Sequence, residues 1–244
     1  MIKGDLHVHT SYSDGAEDPI KMIKFSIRKR LGIIAITDHD TNRGYFKITS
    51  FYGKAKLKEL GVIVVPGVEI STYLGHIVVL GVDVPIELGN ALPRKSSIVR
   101  LLEKLRDKFN AIIILAHPYS CKGLFTCAST KDETILSLVN AVEAINGRSV
   151  PKKNIDALVL ARKLGKVCVA GSDAHELREL GVTYTIFPDN TNSYEDVLNS
   201  IEQGIVKLGP IPKATKVIGN IFVRYLNQFQ RFSLKITGYM YELH

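Results

Sequence analysis

Short apolar segments with the length of buried strands alternate with longer segments typical of helices along most of this chain. That order predicts a parallel sheet covered by helices, because each pair of parallel strands needs a crossover connection. The apolar run at residues 33–37 is typical of a parallel strand that is buried on both faces. Only a short turn separates the strands predicted for residues 62–70 and 76–82, so this pair could be antiparallel. A chain of 244 residues has the length of one α/β barrel.

The composition limits the classes of protein that are compatible with this order. Hydrophobic residues make up 45% and charged residues 23% of the chain, which is ordinary for a protein that buries a full core. We find no run of about 18 apolar residues, and therefore expect neither a membrane-spanning helix nor a signal peptide. Three cysteines give no even disulfide framework. We expect a single domain over residues 1–244, located in the cytoplasm.

The net charge of +8 is concentrated toward the end of the chain. Residues 207–244 hold six Lys or Arg side chains and one acid, Glu242. A helix is predicted at about residues 213–233. Its basic face could bind an anionic partner such as nucleic acid, although such a face is more often simply solvated. The aromatic residues Tyr225, Phe229 and Phe232 fit a stripe that faces the core better than a surface on which bases stack.

Histidines and acids mark the first predicted strand. His7 and His9 are two positions apart, so the alternation of a strand places both imidazoles on one face. Asp14 follows in the turn beyond that strand. Such a pair could equally be two half-buried strand histidines, and the remaining strands decide between the two interpretations.

The other predicted strands end at the same kinds of residue. In a parallel barrel these carboxyl ends meet at one rim, where such barrels carry out their chemistry. His76 is the weakest member of the set, because it opens a strand rather than closing one. A joint cluster of imidazoles and carboxylates predicts a metal site suited to zinc, iron or manganese. The further candidates are His39, Glu69, His76, His117, Asp173 and His175.

The motifs around these residues resemble those of the PHP (polymerase and histidinol phosphatase) family, in the family's order, from residue 4 to about residue 188. The resemblance implies a distorted (β/α)7 TIM-like barrel, which is one unit short of the eight strands that the sequence predicts. Those strands are at residues 3–9, 33–37, 62–70, 76–82, 111–117, 141–146, 166–172 and 181–187. We therefore expect residues 181–187 to be peripheral, and the barrel to carry an additional C-terminal helix. The matching motifs are His7-x-His9, Ser13-Asp-Gly, Thr37-Asp-His39, Gly67-Val-Glu69, Gly75-His76, Ala116-His-Pro118 and Gly171-Ser-Asp173-Ala-His175.

The resemblance also implies a site for three divalent metal ions (zinc, manganese or iron), and no expected ligand is missing. Glu69 would bridge the first two ions. The implied ligands are His7, His9, Glu69 and Asp173 for the first ion, Glu69, His76 and His117 for the second, and Asp14, His39 and His175 for the third.

Such a site is expected to hydrolyse a phosphoester with a hydroxide that bridges the first two metals. Asp173 is the expected general base or proton shuttle. His39 and His175 could donate a proton to the leaving oxygen if they were released from the third metal.

Candidate residues for holding the substrate are fewer. Arg148 and Arg178 follow strand ends on the expected rim, and guanidinium groups suit phosphate, although each could be a solvated loop residue. Lys122 could line the substrate entrance beside His117. Glu143 lies on an otherwise apolar strand, so it is either a partner of a ligand histidine or a core carboxylate paired with a basic neighbour.

The resemblance leaves several substrates open. We expect a small phosphorylated substrate, a nucleotide or a short nucleic acid, and no membrane partner. One alternative is a histidinol-phosphate phosphatase. Another is a non-catalytic barrel subunit of an RNA–protein complex, which the complete ligand set disfavours. The sequence does not indicate which metal is native, nor the oligomeric state.

Overall fold

A computed structural model describes residues 1–72, 74–89, 95–120 and 131–213. Lys122 and the helix predicted at about residues 213–233 therefore lie outside the described residues. The strands are β1 Ile2–Val8, β2 Ile33–Ile36, β3 Ile63–Thr72, β4 Gly75–Leu80, β5 Ile112–Leu115, β6 Ala141–Asn146, β7 Val167–Gly171, β8 Thr185–Phe187 and β9 Lys207–Leu208. The helices are α1 Pro19–Arg28, α2 Arg43–Glu59, α3 Lys95–Phe109, α4 Glu133–Leu138, α5 Pro151–Lys163 and α6 Tyr194–Glu202.

The strands form one mixed sheet in the order β7-β6-β5-β4-β3-β2-β1-β8-β9. Strands β1, β2 and β3 are parallel, as are β5, β6 and β7. Strand β4 is antiparallel to both of its neighbours, β3 and β5. The antiparallel alternative for the third and fourth strands is thus the correct one, because the turn between them is too short for a crossover.

Strand β7 returns to β1 and nearly closes the first seven strands into a barrel. A parallel bridge joins Val8 to Ala174, and the backbone N–H of His9 donates to the carbonyl of Ala174 at 2.8 Å. Earlier on β1 than this bridge, the carboxylate of Asp5 accepts the backbone N–H of Ser172 (2.8 Å) and that of Gly181 (2.8 Å). Asp5 is fully buried, and this burial raises the pKa of its carboxyl to about 6, against the opposing effect of its hydrogen bonds. A buried side chain therefore takes part in closing the barrel.

The last two strands lie outside this ring. Strand β8 is antiparallel to the start of β1, with Ile2 opposite Phe187 and Gly4 opposite Thr185. The strand predicted for residues 181–187 is thus peripheral, as expected, but shorter. Strand β9, which the sequence did not predict, pairs with the outer edge of β8. Two residues are too few for a hydrophobic pattern to be recognised.

The helices cover the outside of the barrel through apolar faces. Asp18 caps α1 by accepting the N–H of Ile20 at 2.8 Å, and Pro19 occupies the first turn. The sequence predicts one continuous helix from about Tyr45 to Leu60, but α2 is interrupted at Gly53, whose φ of 72° and ψ of 151° are non-helical. Among the described residues, no helix combines the length and the apolar character needed to cross a bilayer.

Candidate metal centre

All nine candidate ligands predicted from the sequence lie in one connected group of side chains at the carboxyl-end mouth of the barrel. Most of them follow the ends of parallel strands, as the sequence predicts. His76 reaches the same mouth from the start of β4, because that strand runs in the opposite direction. The antiparallel register places His76 opposite Ser71, on the same face as Glu69. The side chain that was weakest as a candidate is thus oriented like the others.

Glu69 lies at the centre of the group and is 1% exposed. Its Oε1 atom is 3.1 Å from Nδ1 of His76 and 3.0 Å from Nε2 of His117. Its Oε2 atom faces a different set of imidazole nitrogens: Nε2 of His7 at 3.3 Å, Nε2 of His9 at 3.1 Å and Nδ1 of His39 at 3.3 Å. The two oxygens of the Glu69 carboxylate therefore contact two separate groups of histidines.

The charge of Glu69 is stabilised by this environment. Burial alone would raise the pKa of its carboxyl, but His7, His39 and His76 together hold that pKa well below the ordinary value. Glu69 is therefore an anion at neutral pH even though it is almost fully buried.

Asp14 forms the centre of a second group, on the turn after β1. Its Oδ1 atom is 3.0 Å from Nε2 of His175, 3.7 Å from Nδ1 of His9 and 3.9 Å from Nε2 of His39. Burial acts to raise the pKa of Asp14, and His175 lowers it more strongly, so the net shift is downward. His9 lies between the two groups, since its other ring nitrogen faces Glu69.

Two of the candidate ligands have strained backbones. Asp173 has a φ of 54° and His117 a φ of 25°, a region that residues other than glycine seldom adopt. Asp173 follows the end of β7, and His117 follows the end of β5. At both positions the left-handed backbone conformation turns the side chain into the mouth of the barrel. Such strain costs about 1–3 kcal/mol per residue and is concentrated at functional sites.

Asp173 completes the wall of the site between the two groups. Its Oδ1 atom is 3.4 Å from Nε2 of His9 and 4.0 Å from Nε2 of His7. Burial raises the pKa of its carboxyl, but His7 and Arg148 outweigh this effect and hold the pKa below its usual range. Asp173 is thus a carboxylate under ordinary conditions.

Glu143 supports the site from behind. Its Oε1 atom is 2.9 Å from Nδ1 of His7, and its Oε2 atom accepts the backbone N–H of His117 (2.8 Å) and the side chain of Asn146 (3.1 Å). A shift of register between Glu143 and Ile145 explains how two side chains three positions apart can face the same way. Of the two alternatives for Glu143, the structure therefore has the one in which it contacts a candidate ligand histidine.

The acids around His7 alter its protonation. Burial lowers the pKa of His7, but Glu143, Glu69 and Asp173 override this effect and raise the pKa well above its ordinary value. A metal must therefore displace a proton from His7 in order to bind there, so metal affinity should fall as the pH falls.

The spacing of these atoms fits divalent metal ions. Bonds of about 2.0–2.2 Å from a metal to nitrogen or oxygen place neighbouring ligand atoms about 3.0–3.5 Å apart. Four groups of residues have all their ligand atoms within 4.8 Å of one another. They are His9, Asp14, His39 and His175; His7, His9 and Glu69; His7, His117 and Glu143; and His39, Glu69 and His76.

Replacing Glu143 with glutamine should weaken metal binding without removing a predicted ligand. The variant keeps the size of the side chain but loses the charge that orients His7, and we expect Mn²⁺ affinity to fall about 10-fold to 100-fold. Isothermal titration calorimetry with Mn²⁺ measures this change. Glu103→Gln, at an exposed position on α3, is the matched control. Unchanged affinity in Glu143→Gln would show that its contact with His7 has no effect on the metal.

The residues predicted to hold the substrate lie in different environments. The Nη1 atom of Arg148 is 2.8 Å from Nδ1 of His175 and 3.8 Å from Oδ1 of Asp173, so this guanidinium lies at the mouth. Arg178 instead forms an ion pair with Glu176 at 2.7 Å and has no polar contact with the candidate ligands among the described residues. The expectation that it faces the site is not supported by these contacts.

Asp38 is part of the site but was not selected from the sequence. It is fully buried, and its carboxylate accepts the backbone N–H of Thr10 (2.7 Å), the hydroxyl of Thr10 (2.8 Å) and the hydroxyl of Ser13 (2.8 Å). These bonds fix the turn that carries Asp14. Gly44 leaves room for this carboxylate, since a Cβ there would lie 2.3 Å from Asp38 Oδ2. The only sequence signal was the position of Asp38 next to His39.

Comparisons with known proteins agree with this geometry. A family profile described as PHP-associated (PHP_C) matches residues 151–206. The uncharacterized protein MJ1587 of Methanocaldococcus jannaschii is 35% identical over 136 residues, which cover 50% of this chain and 72% of that protein. The 5′-3′ exoribonuclease Rnm of Salmonella typhimurium is 40% identical over 68 residues, which cover 28% of this chain and 22% of the exoribonuclease.

A solved structure has the same fold. It is a two-domain protein from Bacteroides vulgatus whose description names a PHP-like metal-dependent phosphoesterase. The TM-score is 0.60 at 17% identity, and the match covers 85% of this chain and 64% of that one.

This barrel has the fold of that PHP-like protein, and its mouth is lined with imidazoles and carboxylates that could hold metal ions. The chain belongs to the PHP family.

Proposed function

We propose that this protein hydrolyses a phosphomonoester or phosphodiester of a nucleotide or short nucleic acid, using three divalent metal ions. The observation that carries the proposal is the position of Glu69, whose two oxygens face separate sets of histidines. A carboxylate in that position is suited to bridge two cations about 3.5–4 Å apart, the spacing of two-metal phosphoesterases.

The proposed ligand sets follow the contacts at the mouth. Glu69 belongs to both of the first two sets, and Asp14 is the acid of the third. His9 is close to both groups, which supports a compact cluster rather than three isolated sites. The sets are His7, His9, Glu69 and Asp173; Glu69, His76 and His117; and Asp14, His39 and His175.

Divalent ions held there would offset the charge of a phosphate and lower the pKa of water toward neutrality. The side chains then have separate tasks. Asp173 would accept a proton from the attacking water, and Nδ2 of Asn146, 3.3 Å from Oδ2 of Asp173, helps to hold the carboxylate in place.

Protonation of the leaving oxygen requires an acid at the solvent side of the mouth. His39 and His175 belong to the proposed third set, so either could donate a proton only if it were released from that ion. His39 is 26% exposed and His175 is 5% exposed, so His39 is the better placed of the two. Arg148 would bind phosphate oxygens, since its guanidinium has donors that suit an oxyanion and lies beside Asp173.

The nucleotide or nucleic-acid substrate is supported by two observations. One is the similarity to the exoribonuclease Rnm, which is confined to 22% of that protein. The other is the net charge of +8, which favours the approach of a polyanion. Histidinol phosphate remains an alternative that the experiment below can distinguish.

The direct test is hydrolysis of p-nitrophenyl phosphate with Mn²⁺, Zn²⁺ or Fe²⁺, before and after chelation. We expect turnover that a chelator abolishes and added metal restores. A panel of nucleotides, 3′,5′-bisphosphates, 5′-phosphorylated oligonucleotides and histidinol phosphate then ranks substrates by kcat/KM. Tight RNA binding without turnover under any metal condition would favour a non-catalytic barrel subunit and contradict the proposal.

A further inference from the structure

A second cavity of about 780 Å³, here called the lower cavity, lies at the end of the barrel opposite the metal centre. Residues from the starts of strands line it, among them Lys3 of β1 and Ile63 of β3. His9, by contrast, follows the far end of β1. At about 3.3 Å of strand per residue, Lys3 and His9 are about 20 Å apart. The lower cavity is therefore separate from the metal centre.

The interruption of α2 at Gly53 shapes one wall of the lower cavity. Tyr45 and Thr49 precede the interruption and Leu57 follows it, and all three line the cavity. A Cβ on Gly53 would have no neighbour within 4 Å, so the chain is not pressed against the barrel at this point. Leu57, Val62 and Val64 contribute an apolar floor.

The rim of the lower cavity has an excess of positive charge. Lys3, Arg30 and Lys58 line it, and none of these three has an ion-pair partner among the described residues. Lys54 also lines it but is neutralised by Asp83 at 3.0 Å. Glu195 is the single acid among the described lining residues. This imbalance favours an anion over a neutral or cationic molecule.

Helix α6 and two tyrosines also line the lower cavity. The first turn of α6 borders it through Ser193 and Tyr194, but that turn carries Glu195 and Asp196 and is closed by a capping box, so it adds no preference for an anion. Tyr194 is half-buried and offers a ring face, whereas Tyr45 is 1% exposed and packs in the core. Burial, with Glu195 nearby, raises the pKa of Tyr194 to about 12, so its hydroxyl stays neutral and does not repel an anion.

We propose that the lower cavity binds a small anionic molecule with an aromatic ring, at a site independent of the metal centre. The volume lies within the range of about 300–1,000 Å³ that is usual for small-molecule sites. The apolar floor and the ring of Tyr194 suit an aromatic body, and the rim cations that lack an ion-pair partner in the described part of the chain suit one carboxylate, sulfonate or phosphate. Neither feature depends on the proposed reaction.

The test uses a pair of fluorescent probes that differ mainly in charge: 8-anilinonaphthalene-1-sulfonate and the uncharged N-phenyl-1-naphthylamine. We expect one sulfonate to bind per full-length chain, and the variants Arg30→Glu and Lys58→Glu each to raise its Kd about tenfold. The neutral probe should bind equally well to both variants. Lys24→Glu, at an exposed position on α1 outside the lining, is the matched control.

A third variant and a metal titration locate the probe. Thr49→Trp should fill the lower cavity and remove binding of both probes, with near-UV circular dichroism as the check that the chain is folded. Added Mn²⁺ and the Glu69→Gln variant should leave the Kd of the sulfonate unchanged, so failure of the proposed reaction would not affect this result. The proposal is wrong if the sulfonate does not bind, if the two charge reversals act no more strongly than Lys24→Glu, or if Mn²⁺ displaces the probe.

Discussion

Glu69→Gln is expected to lose metal-dependent hydrolysis of p-nitrophenyl phosphate, with kcat reduced about a thousandfold or more. Glutamine keeps the shape of the side chain but removes the negative charge that faces five imidazoles through two oxygens. An amide cannot replace a bridging carboxylate, because only one of its two terminal atoms is a good metal ligand. The number of bound ions, measured by elemental analysis after dialysis, should fall together with the rate.

The matched control for this experiment is Glu87→Gln. The side chain of Glu87 is 67% exposed and lies 3.7 Å from Arg43, and it has no contact with the candidate ligands among the described residues. It should retain the rate and the metal content of the unaltered protein. A Glu69→Gln protein that keeps both its bound ions and its turnover would show that Glu69 does not bridge metals.

Asp5→Ala is expected to lower the free energy of unfolding by about 4 kcal/mol at pH 5. The substitution leaves the N–H groups of the buried Ser172 and the half-buried Gly181 without the acceptor they have in the native chain. Each loss costs about 1–3 kcal/mol, and both fall at the junction where β7 meets β1. Urea unfolding, followed by circular dichroism, measures the change.

The effect of this substitution should depend on pH in a defined direction. The pKa of Asp5 is raised to about 6 in the folded protein, from an ordinary value of 3.8. The folded state therefore holds a proton that the unfolded state has already released, and this contribution to stability is lost as the pH rises from about 4 to about 6. Alanine has no such proton, so the difference in stability between the two proteins should shrink over that window.

A suitable control for the Asp5 experiment is Asp107→Ala, an exposed acid on α3. Its effect should be within about 0.5 kcal/mol and nearly constant with pH. If Asp5→Ala were equally mild at pH 5, the side chain of Asp5 would not contribute to the barrel closure.

The grouping of the candidate ligands could be predicted from the sequence to a large extent because these residues occupy equivalent positions on the strands. A parallel barrel brings the ends of its strands to one rim, so His39, His117 and Asp173 could be placed together without knowing any distance. A short side chain cannot extend far from the end of its strand, so the position of the strand end is enough to predict that these side chains lie at the rim.

Other contacts depend on details that no local pattern contains. Glu143 faces His7 because of an irregular register in β6, and Asp38 reaches Thr10 across two strands. The long side chain of Arg178 can turn either toward the mouth or toward Glu176, and its position in the sequence does not decide between them. Gly53 interrupts α2 although a single glycine within a helix is usually tolerated at a cost of about 1 kcal/mol.

In the hairpin formed by β3 and β4, the number of residues in the turn determines whether the side chain of His76 faces the mouth of the barrel. Glu69 and His76 come from adjacent antiparallel strands, so their shared orientation depends on the pairing of Ser71 with His76. Slippage by a single residue would send the imidazole to the outer surface of the barrel. Insertions or deletions at this turn should therefore be tolerated far less well than changes of the same size in the helical connections elsewhere in the barrel.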